Sequence, residues 1–157
     1  MTPRPTRWDR LMQSDDSSET RPRFHLAFAV DDLAAARKFY GGLLGCREGR
    51  SSERWIDFDF FGHQLVAHLV EEKRAPNARN PVDGDDVPVP HFGVILEWET
   101  FDVLAARLQE ANLAFIIAPR VRFAGKPGAQ KTMFFVDPSG NALEMKAFQR
   151  EQDIFAR

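Results

Sequence analysis

The chain has 157 residues, 43% of them apolar and 28% charged, with a formal net charge of −2. That is enough for one soluble domain of ordinary size or two small fused modules. The charge balance argues against a nucleic-acid surface, no run of about 18 apolar residues offers a transmembrane helix, and the single cysteine, Cys46, excludes an internal disulfide.

Residues 1–22 are polar, carry Pro3, Pro5 and Pro22, and lack the apolar core of a secretory signal. They read as a flexible arm in which Trp8, Leu11 and Met12 can dock as one helical turn. With no signal and no disulfide, the cytoplasm is the default compartment. The apolar run at 24–30 suits a buried strand. Asp31 is placed to cap the helix that follows in DLAAARKFYGGLLG, where Leu33, Ala36, Phe39, Tyr40 and Leu43 recur at helical spacing. Tyr40 is expected to pack that helix on a sheet. Cys46, in LLGCREG, has no neighbouring histidine to activate it and reads as a structural thiol.

Residues 54–61 alternate as a strand, with Trp55, Asp57 and Asp59 on one face and Ile56, Phe58 and Phe60 on the other. Gly62 turns the chain into a further strand over 64–70. The charged stretch at 71–90 holds four prolines and is expected to be a linker or exposed loop. The order then repeats: a strand at 91–96, a helix over 101–111, a short strand at 114–117, and a hairpin of 133–136 and 142–148 around the turn signal DPSG. Between the last two lies the basic, glycine-containing loop PRVRFAGKPGAQK.

The pattern predicts an α+β chain of two tandem βαβββ modules, 23–72 and 91–148, joined by a linker at 73–90 and followed by a tail at 149–157. FHLAFAVDDLAAARKFY set against HFGVILEWETFDVLAARL shows the weak self-similarity behind this. Neither module has a comfortable core alone, so the two sheets should pack or join.

His25 and His91 each open an apolar strand, and Glu144 lies on the last one. Two imidazoles and one carboxylate make a 2-His-1-carboxylate metal set if the fold brings them together. The plain alternatives are hydrogen-bonded core histidines and a Glu144–Lys146 surface pair. His63, next to Gly62, reads as a turn residue.

FHLAFAVDDLAAARKFYGGLLG with its His25, the His91 that opens the second module, and MFFVDPSGNALEMKAF together resemble the vicinal oxygen chelate superfamily. That superfamily holds glyoxalase I, extradiol dioxygenases, and bleomycin- and fosfomycin-resistance proteins. The likeness spans about 23–148, with DPSGNALE its most specific piece, and is nearest to small extradiol-dioxygenase-like members. It implies an open eight-stranded cup around a divalent metal held by His25, His91 and Glu144. Fe(II) is favoured for that set, with Mn, Zn, Ni or Co also accepted.

Some members add a ligand from the last strand of the first module. Matching Gly62 to Gly140 puts Val66 at that position, with Gln64 and His68 flanking it on the same face. His68 is therefore the candidate fourth ligand or proton carrier, and Gln64 the other. Trp55, Phe58, Phe60, Phe123, Met133, Phe135 and Phe148 are candidates to line an apolar substrate pocket, although alternation lets only about half of them face a cup. Arg122 and Lys126 are candidates to meet an anionic substrate group from a lid-like loop.

The resemblance implies a metal-dependent enzyme, first of all an extradiol-type dioxygenase acting on a small catechol-like substrate. The alternatives are a glyoxalase-type isomerase or lyase, which wants a second carboxylate that the Val66 position does not supply, and a non-catalytic drug-binding protein of the resistance type. No nucleic acid or membrane partner is expected, and a homodimer is.

Overall fold

The structure, a computed structural model, describes residues 4–12, 22–72 and 74–157. The chain divides into two compact units, Met1–Glu71 and Glu72–Arg157.

The first unit begins with a short helix, α1 (Arg7–Met12), in the segment expected to be a flexible arm. Trp8 is buried, its indole Nε1 donating to the Leu44 carbonyl at 2.9 Å, so this turn is docked; residues 13–21 of the arm lie outside the described residues. Strand β1 (His25–Val30) leads to helix α2 (Leu33–Ala36), which widens into π-helical turns over Arg37–Leu43. The cap is Asp32 rather than Asp31: its side chain accepts from the Ala35 N–H. Strands β2 (Arg47–Ser51), β3 (Trp55–Phe60) and β4 (His63–Leu69) complete a sheet in the order β1-β4-β3-β2. β1 and β4 are parallel, and the rest antiparallel.

Period-two alternation sorts this sheet into two faces. Ile56, Phe58, Phe60, Leu65 and Ala67 are buried together with Ala36, Phe39, Tyr40 and Leu44 of the helix and its end. Tyr40 is fully buried, its ring 5.4 Å from that of Phe58 and 5.3 Å from that of Phe28. Each large apolar side chain buried here contributes about 1.5–3 kcal/mol. The opposite face carries His25, Gln64, Asp57 and Asp59.

In the second unit, the expected linker is a β-hairpin, β5 (Ala78–Val82) and β6 (Asp85–Val89). Its two-residue turn, Asp83-Gly84, has positive φ at both positions (47° and 87°), the requirement of the hairpin turn that Asp-Gly favours. The prolines are tolerated because a two-stranded ribbon is all edge. Next come β7 (Ile95–Leu96), α3 (Trp98–Glu110), β8 (Phe115–Arg122), β9 (Gln130–Val136) and β10 (Ala142–Phe148). The sheet order is β7-β10-β9-β8, the order of the first unit over again. β7 is shorter than the expected strand at 91–96, although Phe92 and Val94 continue its backbone bonding to β10. The basic loop is shorter than expected too, because β8 runs on to Arg122.

Here Phe101, Leu104 and Leu108 of α3 are buried along with Met133, Phe135, Leu143 and Met145 of the sheet. The DPSG turn is held by Asp137, whose Oδ1 accepts from the N–H groups of Ser139 and Asn141 at 2.9 and 2.8 Å. Among the described residues no helix is long and apolar enough to cross a membrane.

Candidate metal half-sites and the family they belong to

The repeat puts one histidine near the head of each unit, His25 opening β1 and His91 ahead of β7, and each has a partner on the neighbouring strand. In the first unit His25 is in register with Gln64 on β4, and its Nδ1 lies 2.8 Å from Gln64 Oε1. An amide oxygen only accepts, so the proton of this bond is the one on Nδ1, and Nε2 stays outside it. In the second unit His91 Nδ1 lies 2.7 Å from the Pro88 carbonyl oxygen, which fixes the same tautomer. Its Nε2 faces Glu144 Oε2 at 3.3 Å, and the other oxygen of Glu144 accepts from the Thr132 hydroxyl at 2.7 Å.

A bare imidazole nitrogen facing a carboxylate oxygen is repulsive unless a proton or a metal cation lies between or beside them. Histidine with Nδ1 donating to a carbonyl oxygen and Nε2 free is also how metal-ligating imidazoles are commonly held. The donors, imidazole nitrogen and carboxylate oxygen, thus fit a divalent transition metal in type. The surface alternative for β10 does not hold: Glu144 bonds His91 and Thr132, while the Lys146 ammonium lies 5.4 Å from the Phe148 ring. Among the described residues, no group of three or more His, Cys, Asp or Glu side chains is placed to hold a metal. Of the expected trio, His91 and Glu144 come together within the second unit, and His25 lies beside Gln64 within the first.

The register explains the missing fourth carboxylate. Val66 pairs with Ala27, two residues past His25. Lys146 pairs with Ile95, and Phe92 bridges Leu143, so Glu144 stands beside Gly93, two residues past His91. Val66 thus occupies the position of Glu144. Gln64, not His68, is the neighbour of His25. His68 is exposed on the same face but pairs with Ala29, roughly 13 Å of strand rise farther on. His63 is structural, its Nδ1 accepting from the Phe24 N–H at 3.0 Å.

The polar face of the first unit is hollowed into a groove of about 490 Å³, lined among others by His25, Gln64, Arg47, Arg50, Asp57 and Asp59. Sequence reasoning missed the acidic part of it. Asp57 pairs directly with Val66, so a carboxylate stands one strand over from the position where β4 lacks one. Arg50 lies 3.6 Å from Asp57, and Arg47 lies 3.3 Å from Asp59. The alternation of WIDFDF was the available signal.

The expected substrate pocket needs correction. Phe60, Met133 and Phe135 are buried at 2%, 0% and 0% exposure, on the sheet faces turned to the helices, so they are core residues. Arg122 is ion-paired to Asp83 of the hairpin. Phe123 is half exposed beside it, its ring 5.4 Å from the Arg122 guanidinium. Cys46 is buried, and burial pushes its thiol up to about 12, which makes it inert as a nucleophile.

Residues 24–145 match the family model described as the Glyoxalase/Bleomycin resistance protein/Dioxygenase superfamily. The chain belongs to this superfamily. It is similar to the crystal structure of a glyoxalase/bleomycin resistance protein/dioxygenase from Alicyclobacillus acidocaldarius, with 31% identity and a TM-score of 0.72 over 88% of this chain and 99% of that one. A glyoxalase/dioxygenase from Nostoc punctiforme shares the fold at 21% identity and a TM-score of 0.62, covering 83% of this chain and 92% of its own. So does a genomically encoded fosfomycin resistance protein from Listeria monocytogenes, at 16% identity and 0.63, covering 86% and 98%. None of the curated proteins matches. The superfamily assignment and the duplicated βαβββ order agree with the expectation drawn from DPSGNALE and the two histidines.

Proposed function

We propose that the protein is a metal-dependent enzyme of the vicinal oxygen chelate type, with His25, His91 and Glu144 as metal ligands, Fe(II) favoured. The observation that supports this reading is the like setting of the two histidines, each with Nδ1 on an oxygen acceptor and Nε2 outside that bond. When bound, such a metal supplies Lewis acidity and open positions for a substrate that chelates through adjacent oxygens.

The chain's own residues do the rest. Gln64 and the Pro88 carbonyl orient the imidazoles, and Thr132 holds the Glu144 carboxylate through one oxygen so that the other stays toward His91. In the first reading the substrate is catechol-like and the reaction an extradiol-type oxygenation. Oxygen uptake by the Fe(II)-loaded protein over a panel of catechols tests it. Uptake with at least one catechol is expected, and none on a metal-loaded protein contradicts it.

A second reading, a glyoxalase-type isomerase or lyase, is favoured by Asp57. The objection to it was the lack of a second carboxylate, and Asp57 supplies one beside Val66 in the groove that holds His25. Glutathione-dependent isomerisation of methylglyoxal, and its loss in Asp57→Asn, decides for this reading; activity unchanged in that variant decides against Asp57 as the base. A homodimer is part of the proposal, and light scattering measures it.

A further inference from the structure

The hairpin β5–β6 is tied at several points to the face of the second sheet that bears Glu144. Val87 is buried with Ile117 and Phe134. Phe134 is the register partner of Glu144, and its ring lies 4.9 Å from that of His91. Asp85 pairs with Arg120 and Asp83 with Arg122, so both acidic side chains at the hairpin turn are matched to the basic stretch of β8. Arg79 adds a bond within the hairpin to the Asp86 carbonyl at 2.8 Å. At the far end of β6, the Pro88 carbonyl accepts from His91 Nδ1.

We propose that this hairpin is a positioning element for His91, an ion-paired clamp whose Pro88 carbonyl holds the imidazole in the tautomer that leaves Nε2 free. Free histidine has no fixed preference for that tautomer, because either ring nitrogen can carry the proton. Only an acceptor fixed in space selects it. Pro88 precedes His91 by three residues, and a peptide that short does not hold one geometry unaided. Val87 on Phe134 and the two Asp–Arg pairs supply the fixing. Arg120 and Arg122 thereby take a role in the metal site without touching it, which accounts for a basic stretch on β8 that no substrate needs to explain.

This inference rests on the reading of His91 as a metal ligand, so its test has an arm that does not depend on metal. The first measurement is the ¹⁵N imidazole spectrum of the metal-free protein, which reports the tautomer of each histidine. The wild type is expected to show the Nδ1–H form at both His25 and His91. The double variant Asp83→Asn/Asp85→Asn removes both ion pairs while keeping side-chain size. Amide exchange over 78–89 then reads the release of the hairpin. Where the hairpin is released, His91 is expected to shift toward the other tautomer while His25, held by Gln64, stays as it was.

Co(II) affinity is expected to fall about 10-fold in the same variant, as for loss of an outer partner of a ligand. Should the hairpin amides stay protected, Val87→Asp sets a charge against Ile117 and Phe134 and is read in the same way. A released hairpin with the His91 tautomer and Co(II) affinity unchanged overturns the proposal. A wild type that binds no Co(II) but loses the His91 tautomer on release defeats the metal reading and leaves the clamp standing.

Discussion

In the first unit the histidine meets an amide; in the second it meets a carboxylate. The frames beneath are the same, four strands in one order with the first strand at the edge, parallel to the last beside it. On the first frame, Val66 leaves the ligand position apolar, and the charge has moved one strand over to Asp57 in an open groove. On the second, Glu144 is in place, a threonine holds it, and a hairpin lies beside His91. A duplicated fold thus fixes where donors stand, and side-chain identity at matched positions decides which of them bear charge.

The largest expected break in this comparison is at the position beside the carboxylate. Gly93 stands next to Glu144, and a Cβ there overlaps the Glu144 carbonyl, whereas the matched position in the first unit is Ala27, which has its Cβ. Gly93→Ala should cost about 3 kcal/mol of stability or more, and Ala27→Gly only about 1 kcal/mol, by chemical denaturation. Equal costs would mean that the two frames are not matched in this register.

Next in size is the carboxylate itself. Glu144→Gln gives the second unit the amide of the first, and metal affinity should fall by more than about 100-fold, beyond the usual loss for an outer partner. Gln64→Ala removes only such a partner and should cost about 10-fold, measured by the same titration. Thr132→Val deletes the hydroxyl that holds Glu144 and should also weaken metal binding about 10-fold, with Thr132→Ser restoring it. Loss without rescue by serine would assign Thr132 to packing alone.

The smallest effect sits in the first unit's core. Burial holds the Cys46 thiol at about 12, so at pH 8 only about one in 10,000 native molecules carries the thiolate. Alkylation by iodoacetamide should therefore wait for unfolding. Because the folded value is raised, the neutral thiol's contribution to stability is complete below about pH 9. It is lost between about 9 and 12, as the unfolded chain ionises first.

Much of this was legible in the sequence. The apolar face of α3, the alternation of WIDFDF, the DPSG turn and the strand opened by His25 each have a period or a local rule behind them, and these stand where expected; His91 lies ahead of β7 rather than opening it. The match of Val66 to Glu144 followed from two glycines and is repeated by the strand register. What was not legible has physical causes. Prolines and charges hid the hairpin at 78–89, although Asp83-Gly84 is a strong hairpin turn; its strands are edges, where those residues are allowed. Alternation gave the two faces of β9 without saying which was the core, so Met133 and Phe135 were expected in a pocket and lie under α3 instead. The Pro88 carbonyl and the Thr132 hydroxyl are partners set by tertiary placement, which no local pattern encodes.

The central claim is that the duplicated histidines, with Glu144, are metal ligands acting through bare Nε2 atoms. Titration of the full chain, prepared without chelator, with Co(II) followed by visible absorption tests it most directly, alongside His25→Ala and His91→Ala. The account predicts one Co(II) per chain in the wild type and its loss in each variant. Stoichiometric binding that survives both substitutions, or a folded wild type that takes up no Co(II), would contradict it.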